Sequence, residues 1–195
     1  MSTGRRRLAA RGRVPAAAAL LLGYGAIAAR AGEPGRRERA LFALVNSADQ
    51  RFELRVAQQW GIPWTLPLVA AVAAARRRPR HAVVALVAMG ATKGTEVATK
   101  KLRCRPRPLY VQPTALRDDA PLDGGSMPSG HAAVAACATV LLAPLVPSPV
   151  RAVAATATAL SAVARVQQGA HEPLDAVAGL MLGTAIGLLG LELCR

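Results

Sequence analysis

Three short stretches of this chain carry side chains able to handle an anion or move a proton: 93–108 (KGTEVATKKLRCRPRP), 128–131 (PSGH) and 164–179 (ARVQQGAHEPLDAVAG). In the first, Lys93, Glu96 and Lys100 are spaced by three and then four, so on a helix they share one stripe. Lys100, Arg105 and Arg107 could converge as cationic donors, while Pro106 and Pro108 stop the helix and stiffen the chain beyond it. In the second, Ser129 suits a helix cap and Gly130 lets a ligand come close to the backbone. Unpaired N–H groups at that helix start favour an anion, and His131 projects beside them. In the third, Asp175 lies four residues after His171, and Pro173 fits the first turn of a helix between them. A carboxylate so placed can reach one imidazole nitrogen, fix the tautomer and leave the other nitrogen free to attack.

Each stretch taken alone also has a structural reading: a basic cluster holding lipid headgroups, a plain helix cap with a solvated histidine, or a buried His–Asp pair tying two helices. Together they supply at least three cations, two histidines, an orienting carboxylate and an anion seat. No acidic cluster patterned for a metal accompanies them, since Asp118, Asp119 and Asp123 sit in a loop without ligand spacing. Many fixed positive groups without a metal pattern point to a phosphoryl group, whose spread charge needs donors around it.

The elements that must position these groups are apolar. Six stretches approach the roughly 20 residues a membrane-spanning helix needs: 14–30, 62–75, 82–99, 129–147, 150–167 and 174–193. They are rich in Ala and Gly, which suits helices packed closely in lipid, and the last three lack the polar stripe of a soluble bundle. The expectation is an all-α, polytopic membrane bundle of about six transmembrane helices. Arg5, Arg6, Arg7, Arg11 and Arg13 precede the first stretch and RRRPRH (76–81) comes after the second, both without acids, so both are expected on the cytoplasmic side. The loop 100–128 and the turn holding His171 then face outward together. Residues 36–60 alternate charge with Leu, Phe and Val at helical spacing and read as an amphipathic segment on the outer surface. The expected organisation is a basic cytoplasmic N-terminus (1–13), a first helix with the outer amphipathic segment (14–61) and a catalytic membrane domain (62–195). Basic residues, an apolar run and ARA at 29–31 also fit a cleavable secretory signal, which would leave the downstream topology unchanged.

Composition narrows the partners. The formal charge is +14, from 25 basic and 11 acidic residues, so nucleic acid and anionic lipid are both open to it. The arginines sit between apolar blocks instead of along one polar face, and aromatic residues are only 3% of the chain, so stacking on bases is excluded. Cys104, Cys137 and Cys194 are too few and too scattered for a disulfide framework or a zinc site.

On these motifs the sequence resembles the type 2 phosphatidic acid phosphatase (PAP2) superfamily, whose signature is K-x6-R-P, then P-S-G-H, then S-R-x5-H-x3-D. Here these read Lys100-x6-Arg107-Pro108, Pro128-Ser129-Gly130-His131 and Arg165-x5-His171-x3-Asp175. The resemblance covers roughly 62–193, and it departs at Ala164, where Ser is usual, and slightly at Ser126-Met127. It implies a six-helix membrane lipid phosphatase that works without metal or cofactor. His171 would be the nucleophile forming a phosphohistidine, Asp175 would hold its ring, and His131 would protonate the leaving oxygen. Lys100, Arg107, Arg165, Ser129 and the Gly130 N–H would cradle the phosphoryl oxygens. The implied substrate is a polyprenyl phosphate or pyrophosphate, or a phosphatidate-type lipid, met on the non-cytoplasmic face of the cell membrane; nucleic acid is not an expected partner. Two other readings share the pocket: vanadate-dependent halide oxidation, disfavoured because those proteins resemble soluble bundles, and a non-catalytic phospholipid-binding or transport protein.

Overall fold

The computed structural model describes residues 12–49, 51–117 and 120–195; Arg5, Arg6, Arg7 and Arg11 of the basic N-terminus, and Asp118 and Asp119, lie outside them. Among the described residues there are eight α-helices and no strand. They are α1 (Arg13–Ala29), α2 (Arg36–Ser47), α3 (Phe52–Ala57), α4 (Thr65–Ala75), α5 (Pro79–Arg103), α6 (Gly130–Leu142), α7 (Ser148–Gln167) and α8 (Pro173–Leu193). Each of the six apolar stretches read from the sequence corresponds to one helix, and the amphipathic segment becomes α2, α3 and a 3-10 turn, Gln58–Gly61.

The boundaries reflect local chemistry. Proline occupies the first turn of α5, α7 and α8, where its missing N–H costs nothing. α8 opens with a capping box in which the Glu172 N–H donates to Asp175 Oδ2 at 2.8 Å. α5 ends where Cys104 turns left-handed (φ 46°), ahead of Pro106. Between α7 and α8 the chain reverses through Gly169 at φ +75°, a conformation that glycine adopts without strain.

The central contact is α6 on α8. Gly179, Gly183 and Gly187, spaced by four, form a groove along α8 into which the α6 backbone sinks. A β-carbon at Gly179 would collide with the Ser129 carbonyl, one at Gly183 with the Ala133 carbonyl, and one at Gly187 would lie 2.8 Å from Val140 Cβ. The groove therefore draws the start of α6 onto the start of α8, where the Ser129 N–H donates to the Asp175 carbonyl at 2.9 Å. Leu66, Val69, Val134 and Leu141 fill the core between α4, α5 and α6. Phe42 of α2 is fully buried against Ala132, Ala162, Val166 and Ala176, so the amphipathic segment packs into the bundle while Leu41 and Leu44 stay exposed.

The expectation of about six membrane crossings meets a harder test. Among the described residues only α8 is by itself long and apolar enough to cross a bilayer. α1, α4 and the run Gly130–Leu145 are apolar but shorter. α5 is long enough, but it carries Lys93, Glu96, Lys100, Lys101 and Arg103 in its second half. α7 carries Arg151 and Arg165 amid Ala and Thr, which lowers its hydropathy.

Candidate active site

Six of the eight residues singled out from the sequence line one cavity of about 230 Å3: Lys100, Arg107, Gly130, His131, Arg165 and His171. They come from α5, the loop after it, the start of α6, the end of α7 and the turn before α8, up to 71 positions apart in the chain (171 − 100). The other two stand behind the cavity wall. Asp175 is wholly buried, and its Oδ2 lies 3.8 Å from Nδ1 of His171. That separation is just beyond a hydrogen bond, and among the described residues Nδ1 has no hydrogen-bond partner. Ser129 occupies the cap position of α6, yet its hydroxyl makes no capping bond. It is buried and without a partner among the described residues, which corrects the expectation that this side chain caps the helix.

Asp175 is held by three other groups. Arg105 donates to Oδ1 at 2.6 Å, the Ser126 hydroxyl donates to Oδ2, and the Glu172 N–H donates to Oδ2 at 2.8 Å. The same Arg105 guanidinium reaches Glu38 Oε2 at 2.8 Å and the Gly32 carbonyl at 2.9 Å. Arg105, expected beside Lys100 and Arg107 as a donor to an anion, is instead committed to two carboxylates and a carbonyl. Burial opposes its charge, but Asp175 and Glu38 outweigh this and leave its pKa above the ordinary value.

The remaining cations are oriented by carbonyls, an amide and the Glu96 carboxylate. Arg107 donates to the carbonyls of Asp123 and Ala170 at 2.8 Å each, which fixes the turn just before His171. Arg165 donates to Gln168 Oε1 at 2.6 Å, and Gln168 in turn donates to Gln58 of the outer segment at 2.6 Å. Lys100 donates to Glu96 Oε1 at 2.7 Å, and Lys93 to Glu96 Oε2, so the stripe expected from the 3-then-4 spacing is present. Burial pushes the His171 imidazole down to about 4 even though Asp175 works against it, so this ring is neutral near pH 7 and keeps a lone pair.

Sequence reasoning did not find several contributors. Gly61 and Pro63 close one side of the cavity, and a β-carbon at Gly61 would lie 2.6 Å from the His131 carbonyl, so the turn Gln58–Gly61 presses directly on the His131 backbone. Asn46 donates to the carbonyls of Ala115 and Gln167 at 2.9 Å each and accepts from the Ala115 N–H at 2.8 Å, pinning the outer loop to the end of α7. A polar Asn at a buried position of an otherwise amphipathic helix was the available signal. Glu172 is also buried, accepts from Gln112 at 2.6 Å, and leaves Oε2 without a partner among the described residues.

Burial, reinforced by the charge of Glu38, raises the Glu172 carboxyl from 4.5 to about 7. Between those values the folded chain keeps a proton that the unfolded chain releases. The stabilising contribution is therefore complete below 4.5 and is lost as pH rises through about 7. Glu172→Gln, uncharged at every pH, should narrow the difference in Tm between about pH 5 and pH 8 relative to the parent protein. An unaltered pH profile of thermal unfolding would mean that another group titrates.

The helical bundle gathers two histidines and several cations from distant segments around one small cavity. The sequence profile of the PAP2 superfamily matches residues 81–193, and this chain belongs to that superfamily. Its sequence is 34% identical over 84 residues to an undecaprenyl-diphosphatase of Sulfolobus acidocaldarius, a match spanning 43% of this chain and 40% of that protein. Its fold is similar to that of the transmembrane PAP2 type phosphatidylglycerolphosphate phosphatase of Bacillus subtilis, with a TM-score of 0.72, 23% identity, and coverage of 90% of this chain and 94% of that one. Aquifex aeolicus LpxE is similar as well, with a TM-score of 0.68 and 21% identity over 82% of this chain and 98% of that one.

Proposed function

We propose that this chain is a membrane-embedded lipid phosphatase that cleaves a phosphomonoester or pyrophosphate by way of a phosphohistidine. The observation that carries this reading is the meeting of His131, His171, Lys100, Arg107 and Arg165 around a single cavity, with Asp175 immediately behind His171. A phosphoryl group resting there has cations on several sides. The His171 nitrogen turned away from Asp175 attacks phosphorus, forming a P–N bond as the P–O bond to the leaving group breaks. His131 gives its proton to the departing oxygen. Water, deprotonated by His131, then attacks phosphorus, breaks the P–N bond and returns phosphate.

Membrane residence is supported by the apolar surface. Leu22, Leu68, Leu86, Val87 and Val153 are exposed on the long helices, where water would penalise them and acyl chains would not. The acid-free basic loop 76–81 and the site lie at opposite ends of α5, so the positive-inside bias favours the non-cytoplasmic face for the cavity. The undecaprenyl-diphosphatase relative favours a polyprenyl pyrophosphate as substrate. The test is release of inorganic phosphate by purified protein from polyprenyl pyrophosphate, polyprenyl phosphate, phosphatidate and phosphatidylglycerol phosphate, each with EDTA present. The highest kcat/KM is expected for the polyprenyl pyrophosphate; no release from any of the four would sink the assignment.

A further inference from the structure

Among the described residues Glu96 is the one carboxylate lining a cavity otherwise suited to anions. It is 5% exposed, and both of its oxygens are engaged by cations, Oε1 by Lys100 at 2.7 Å and Oε2 by Lys93. The carboxylate lies directly against Gly130, the first residue of α6, because a β-carbon there would run into both oxygens. Beside it the Ser129 hydroxyl is buried without a partner among the described residues. The side chain thus brings negative charge, held by two lysines, to the helix start where the phosphoryl group is expected to sit.

We infer that Glu96 is a resident anion beside this seat that competes with phosphate for Lys93 and Lys100. The inference rests on the phosphatase reading and extends it to control of product affinity. A phosphoryl group entering the cavity takes over the lysines, and the Glu96 carboxylate gives way. A lipid substrate offsets this displacement with the binding energy of its tail, whereas the inorganic phosphate left after turnover has no tail and meets the full competition. Such selective penalty on one ligand is how an anion site releases a dianionic product while still accepting its parent ester. Two like charges a few ångströms apart in a partly buried site repel by several times the thermal energy, so removing one should be readily measured.

The experiment is equilibrium binding of orthophosphate, and separately of vanadate, to the purified full chain, which requires no turnover. Glu96→Gln should bind both anions about tenfold more tightly than the parent protein, and Glu96→Asp, whose carboxylate is drawn back from Gly130, should fall between the two. A merely structural role for Glu96 predicts the opposite sign, because losing the lysine bridge would loosen the cavity and weaken binding. Should Glu96→Gln not fold, Glu96→Asp carries the test alone, with tighter phosphate binding still required. Equal, weaker or undetectable anion binding in the folded variants overturns the inference. If the variants bind more tightly while the parent protein hydrolyses none of the four lipids, it is the phosphatase reading that fails, not the role of Glu96.

Discussion

Replacing His171 with alanine is expected to reduce phosphate release by about 10^4-fold or more while leaving the protein folded. The size comes from the chemistry. Hydrolysis of a phosphate monoester is so slow in water that catalysis must supply on the order of 20 kcal/mol, and the covalent route through a ring nitrogen is the step no other side chain in the cavity can take over. His131 lines the same cavity, but Asp175 stands behind His171. Folding should survive because Asp175 does not depend on the imidazole: its oxygens are bonded by Arg105, Ser126 and the Glu172 N–H, none of which involves His171. The decisive readouts are single-turnover phosphate release and trapping of an acid-labile, base-stable phosphoprotein. Parent-level turnover in folded His171→Ala protein would eliminate the phosphohistidine route.

The second large effect concerns Arg105 and appears in stability. Its side chain is 3% exposed and bridges Asp175, at 0%, and Glu38, at 8%. Removing one partner of a buried ionic network leaves uncompensated charge, a loss of about 3–5 kcal/mol. Arg105→Ala is therefore expected to lower the Tm of the purified protein sharply. Arg105→Lys should rescue only part of it, since one ammonium cannot reproduce a fork that spans the Gly32 carbonyl, Glu38 and Asp175. A donor to substrate would behave differently: Arg105→Ala would then raise KM and leave Tm unchanged. That pattern, seen in thermal unfolding and steady-state kinetics together, would return Arg105 to the phosphate-binding group.

The contrast between Arg105 and its neighbour Arg107 shows where reading a sequence stops. Both are arginines in RPRP, two positions apart, and local spacing treats them alike. The fold commits Arg105 to Glu38 of α2 and Asp175 of α8, while Arg107 lines the cavity and holds the turn before His171. Asn46 and Gly61 were opaque for the same reason, since their partners are 69 and 70 positions away (115 − 46; 131 − 61) and no periodicity encodes such a meeting.

By itself the sequence determined much of what depends on neighbours within about a turn, the capping role expected of Ser129 excepted. The six apolar helices arise from apolar runs bounded by proline, glycine and basic clusters. The Lys93–Glu96–Lys100 stripe comes from helical spacing, and the approach of Asp175 to His171 comes from four residues across a helix start. Tertiary structure alone decided which groups surround those: that the glycine groove of α8 seats α6 and so joins Ser129 to Asp175, that Arg105 supports the carboxylate, and that Glu96 reaches Gly130. Helical periodicity fixes the direction of a side chain relative to its own axis. Which helix lies on the other side is set by shape, burial and charge summed over the whole bundle, and that sum is not written in any one stretch of the chain.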